Sequence, residues 1–93
     1  MVNRVAKLRS LRASLRWIQG AIGETRRSIM KNEAIVHKYK NVSWAQDTFP
    51  YLRAKHVLPG LYARFQRLMQ RHAVVDAEYQ GTLVMYGLRG VHG

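Results

Sequence analysis

The sequence predicts an all-α fold: an elongated hairpin of two long amphipathic helices with an irregular connector, dependent on partners. Three observations carry this. Apolar residues recur at three- and four-residue steps at both ends of the chain, while residues that break helices gather near the middle. The charge is also too one-sided for a self-contained compact monomer, with sixteen Lys and Arg against five Asp and Glu, a net +11.

Residues 1–40 predict the first helix. Val5, Leu8, Leu11, Leu15, Ile18, Ile22 and Ile29 fall on one stripe at about 100° per residue, and Thr25 fills the step between the last two. Arg9, Arg12 and Arg16 form a ladder beside that stripe, and Arg27 continues it. No acidic residue precedes Glu24, so nothing offsets repulsion of about 0.2–0.5 kcal/mol per like-charged pair. A third stripe of Ala6, Ser10, Ser14, Trp17 and Ala21 is mostly small, which lets another backbone approach. Gly20 and Gly23 each cost roughly 1 kcal/mol relative to Ala inside a helix, so a bend or a close-packed neighbour is expected there. The Glu24–Arg27 and Glu33–His37 spacings extend the helix to about Tyr39, although residues 34–39 also have the composition of a short strand.

Residues 41–60 predict the connector. Asn41-Val42-Ser43 interrupts the helical pattern, and Ser43 with Gln46 has the form of a capping box. Thr48 as N-cap and Pro50 in the first turn predict a brief helix over Phe49 to Val57, closed by Leu58-Pro59-Gly60. Trp44, Phe49 and Tyr51 are expected to be exposed.

Residues 61–87 predict the second helix. Leu61, Phe65, Leu68, His72, Val75, Tyr79, Leu83 and Tyr86 form a coiled-coil-like seam. Arg64, Arg67 and Arg71 run beside it with the spacing of Arg9, Arg12 and Arg16, and Gly87 with Arg89-Gly90 predicts the stop. Two seams of this kind bury one another most simply as an antiparallel pair.

At 93 residues the chain is expected to be a single small helical subunit with a modest core. Eleven of the sixteen basic residues are arginine, which favours planar, bidentate or stacked contacts with anions. Hydrophobic residues make up 47% of the chain, too many for a disordered cationic tail. There is no cysteine, which excludes disulfides, thiolate metal sites and thiol catalysis. No secretory signal is expected, and the most apolar later stretch, Val74 to Leu88, contains Asp76, Glu78 and Gln80, which argues against a membrane span. An amphipathic, acid-free start bearing arginine and serine has the make-up of a mitochondrial targeting segment, so the expected location is the matrix or the matrix side of the inner membrane.

No catalytic constellation emerges. His37, His56, His72 and His92 are too widely spaced for a metal site. His72 and Asp76 lie one helical turn apart, but no nucleophile accompanies them. Gly20-Ala21-Ile22-Gly23 and Gly87-Leu88-Arg89-Gly90 lack the residues of a phosphate loop. The chain is therefore expected to be a non-enzyme without cofactor or metal. Its anion-binding residues are expected to be Arg9, Arg12, Arg16, Arg27, Arg64, Arg67 and Arg71. Its protein-packing residues are expected to be Leu8, Leu11, Leu15, Ile18, Ile22, Leu61, Phe65, Leu68, Val75 and Tyr79.

Leu61-Tyr62-Ala63-Arg64 resembles the leucine-tyrosine-arginine motif of small basic mitochondrial accessory subunits and assembly factors. The resemblance covers these four residues alone. Ala63 interrupts the tripeptide and the motif stands at residue 61 instead of near the start, so neither membership nor site residues are carried over.

The function expected from these features is that of a non-catalytic structural accessory subunit of a large mitochondrial assembly. A respiratory-chain or ATP synthase complex comes first. The chain would bind neighbouring protein subunits and anionic surfaces, including membrane-associated sites and lipids such as cardiolipin. The alternative is a mitochondrial ribosomal protein whose arginine ladders meet rRNA phosphates.

Overall fold

The computed structural model describes residues 4–44 and 48–85. It is all-helical and consists of two long helices, α1 (Arg4–Tyr39) and α2 (Phe49–Met85). The molecule measures 65 × 27 × 14 Å. Its thinnest dimension is close to the roughly 10–12 Å diameter of one helix, so the hairpin is a single layer.

The helices run antiparallel, because partner positions rise along one as they fall along the other. Tyr62 lies against Glu33, Phe65 against Arg26, and Tyr79 beside Leu8 and Arg12. The core is the line where the two seams meet. Leu15, Ile18, Ala21 and Ile29 of α1 are buried, and so are Tyr51, Ala54, Leu58 and Leu68 of α2. Ile18 and Ala54 are each only 1% exposed. Leu8, Leu11, Ile22, Leu61, Phe65, Val75 and Tyr79 are half-buried along the same line, whereas Val5 at the first turn is exposed.

Two threonines occupy this line without leaving a hydroxyl unsatisfied. Thr25 donates to the Ala21 carbonyl at 2.8 Å and Thr82 to the Glu78 carbonyl at 2.7 Å, each back to residue i−4 of its own helix. Thr25 thus takes the place of an apolar residue in the seam.

α1 is helical throughout, including residues 34–39, so no strand forms there. Gly20 and Gly23 lie within it, and no backbone packs against either. A Cβ at Gly20 would meet nothing within 4 Å, and one at Gly23 only the Arg27 guanidinium at 4.0 Å. Beyond Tyr39 the turn tightens, with Lys40 N–H donating to the His37 carbonyl at 3.4 Å and Val42 N–H to that of Tyr39 at 3.1 Å. These bonds satisfy two of the carbonyls that a helix end leaves open.

The connector is shorter than expected. The second helix begins at Phe49, not Leu61, and continues through Pro59 and Gly60. Thr48 is its N-cap, its carbonyl accepting from Leu52 N–H at 3.0 Å. Pro59 removes one N–H, the partner of the Lys55 carbonyl, at a cost near 3 kcal/mol in a helix interior. Two circumstances offset this. Pro59 lies on the exposed side, where water reaches the freed carbonyl, and Tyr51, Ala54 and Leu58 lead into Leu61 at three- and four-residue steps, extending one buried seam across the break. The same register corrects Tyr51, which is buried; Trp44 and Phe49 are exposed. Ser43 begins a short 3-10 turn, but Gln46 of the expected capping box lies outside the described residues, as do Tyr86, Gly87 and Arg89-Gly90 of the expected stop.

Candidate functional site: an arginine-lined groove

Pairing the helices sorts the expected anion-binding arginines into separate places. Arg64, Arg67 and Arg71 project from α2 along one shallow, open groove, which Trp17 of α1 borders together with the buried Leu68 and the exposed Val74. At 1.5 Å rise per residue, the three arginines are spaced about 4.5 and 6 Å along the axis. Trp17 is 65% exposed and Val74 68% exposed. Toward the open end the groove continues past Ala13, Ser14 and Ile18, where Arg71 again forms one side. Ala6, Ser10, Ser14 and Trp17, the exposed members of the small-residue stripe, are not covered by α2, whereas Ala21 is buried.

Among the described residues no carboxylate lines this groove, and Arg64, Arg67 and Arg71 form no ion pair. Their charge is directed to solvent.

The other ladder is not brought to the same place. Arg9 and Arg12 border a hollow at the open end with Val5, Leu8 and Tyr79, while Arg16 and Arg27 are exposed and line neither groove. Matching spacing in the two helices therefore does not make one continuous basic strip. Arg26, outside the expected set, places its guanidinium 5.7 Å from the centre of the Phe65 ring, within cation–π range.

Nearer the connector a third groove, about 500 Å³, lies between the helices. It combines Lys31 and Arg53 with Ile35, Phe49 and Val57. The sequence pattern puts Phe49 in the connector, and Lys31 and Arg53 belong to no ladder, so periodicity alone does not single them out. Trp17 was visible as the large member of a small-residue stripe, but its position beside Arg64, Arg67 and Arg71 follows only from the pairing register.

On the other side of the hairpin, the Tyr62 hydroxyl donates to the Glu33 carboxylate at 2.6 Å. That bond, followed by desolvation and the nearby negative charge, holds the phenol above its ordinary titration range. The pair ties α1 to α2 near the connector.

The His72–Asp76 couple does not form. The Asp76 carboxylate accepts instead from the Gln80 amide at 3.5 Å. Among the described residues there is no group of His, Asp and Glu that could hold a metal ion, and no helix is long and apolar enough to cross a membrane. The chain matches no protein-family model, and neither the curated proteins nor the solved structures yield a match.

Proposed function

We propose that this chain is a non-catalytic structural accessory subunit of a large mitochondrial assembly, first among them a respiratory-chain or ATP synthase complex. The observation that carries the reading is a single-layer hairpin with arginines that, among the described residues, are left unpaired along an open groove. Domains are ordinarily built from at least two packed layers around a core, and this one supplies only a line of contact between two helices. A surrounding assembly provides the second layer and the counter-charge.

Partner dependence is part of the proposal. A charge of +11 disfavours the compact state most strongly at low ionic strength. A sharp, cooperative thermal transition of the pure chain at low salt would contradict it. The mitochondrial location rests on the acid-free amphipathic start of α1, and the matrix or the matrix face of the inner membrane is where cardiolipin-like headgroups could meet the exposed arginines.

One observation favours a second reading. Trp17 beside Arg64, Arg67 and Arg71 is also an arrangement in which a base stacks on an indole while guanidiniums hold phosphates. This is the mitochondrial ribosomal alternative. Co-purification from gently solubilised mitochondria separates the two. Migration with a respiratory or ATP synthase complex is expected; migration with ribosomal subunits, together with abundant crosslinks from arginine-bearing peptides to RNA, would replace the first reading with the second.

A further inference from the structure

We infer that the groove between Trp17 and the Arg64–Arg67–Arg71 ladder receives an acidic amphipathic helix of a neighbouring subunit, which completes a three-helix bundle. This rests on the accessory-subunit reading and names the partner chemistry it requires.

Three features select a helix of that character. The groove has an apolar part, with Trp17 and Val74 largely exposed and Leu68 beneath them, so its occupant needs an apolar stripe. Among the described residues its charged part is purely cationic and unpaired, so the occupant's flanks are acidic. The arginines repeat at steps of three and four residues, which a second α-helix reproduces with carboxylates at the same steps because both rise 1.5 Å per residue. A nucleic-acid strand would use the indole and the guanidiniums but has no use for Val74 and Leu68. The small side chains of Ala13 and Ser14, which continue the groove, leave room for a backbone at helix-packing distance, roughly 8–10 Å between axes.

The test uses the full chain carrying Trp44→Phe, so that emission reports Trp17 alone. Its probe is a synthetic peptide with leucines at three- and four-residue steps and glutamates beside them; the control is a scrambled peptide of identical composition. The patterned peptide is expected to become helical on mixing, to shift Trp17 emission to the blue, and to bind about tenfold tighter than the scramble. Replacing Arg64, Arg67 and Arg71 together by Gln is expected to weaken it about tenfold. Replacing Arg9, Arg16 and Arg27 by Gln removes the same charge elsewhere and should leave affinity within about threefold. All six arginines are exposed, and none is part of the buried seam, so circular dichroism of both triple variants should match the parent.

Equal binding of the two peptides, or equal losses in the two triple variants, would reduce the effect to bulk charge and overturn the inference. So would an oligouridine RNA or a cardiolipin-containing vesicle that competes the patterned peptide off the groove at lower concentration than the peptide itself. Failure of the peptide while the chain still migrates with a respiratory or ATP synthase complex defeats the groove assignment alone. Binding of the peptide by a chain that migrates with ribosomes defeats the functional reading instead.

Discussion

The connector side of the hairpin and its open end follow the same periodicity yet differ in how well they exclude water. From the connector to the level of Leu15, α1 contributes Leu15, Ile18, Ala21, Thr25 and Ile29 to the buried line and α2 contributes Tyr51, Ala54, Leu58 and Leu68. Beyond that level only Thr82 is buried among the described residues, and Val5, Val84 and Met85 are exposed. Leu8, Leu11, Tyr79 and Leu83 point into the same seam but stay half-buried, with a hollow between Leu8 and Tyr79. Periodicity tells which side of a helix faces inward. Whether that side is sealed depends on the sizes of the side chains that happen to lie opposite.

The largest expected effect tests that contrast directly. Ile18→Ala removes the most deeply buried large side chain and should destabilise the chain by about 2–5 kcal/mol, whereas Leu83→Ala at the open end should cost about 1 kcal/mol. Denaturant unfolding at moderate salt, followed by circular dichroism, measures both; equal losses would erase the distinction between the two ends. Next, Pro59→Ala restores the missing N–H on the connector side and should stabilise α2 by as much as about 3 kcal/mol, raising the unfolding midpoint. A loss of stability would mean that the proline sets a bend on which the Tyr51-to-Leu68 seam relies. Gly81→Ala acts at the open end. A Cβ there meets nothing within 4 Å, so a gain of about 0.5–1 kcal/mol in the same assay is expected from reduced chain entropy.

The smallest effect belongs to Tyr62→Phe. The folded-state phenol titrates above its ordinary value, so its hydrogen bond to Glu33 stabilises at pH below that value and is lost as pH rises through the folded one. Helicity should therefore fall at alkaline pH in the parent with a component that is missing in the Phe variant. A phenolate absorbance titration locates that component, and identical alkaline profiles for the two chains would sever Tyr62 from the stability of the connector side.

Much of this architecture was present in the residues. The stripe from Leu8 to Ile29, including the polar step at Thr25, marks the inward face of α1, with Val5 at its start left exposed, and the Leu61-to-Leu83 stripe marks that of α2. Two things were not. Leu58-Pro59-Gly60 looks like a terminator because local propensity counts the lost hydrogen bond and the glycine entropy, but it cannot weigh the tertiary packing of Tyr51, Ala54 and Leu58 that carries the helix through. The unbroken step from Leu58 to Leu61 was the signal that could have revealed it. The groove was hidden for a different reason. Arg64, Arg67, Arg71 and Trp17 were each conspicuous, but they lie about fifty residues apart, and their meeting is fixed only by the register of the two helices.

The single-layer build has a consequence for how the chain opens. Each helical turn touches only the turn opposite, as in a zipper, so stability accumulates along the length instead of residing in one shared centre. Separation that starts between Val5 and Met85 meets little buried surface until it reaches Leu15. Amide protons should consequently exchange in a gradient, fastest toward Val5 and Met85 and slowest around Ile18, Leu58 and Leu68. A partner seated at Trp17 would act where that gradient steepens, clamping the zipper partway along and converting a fraying end into a fixed one.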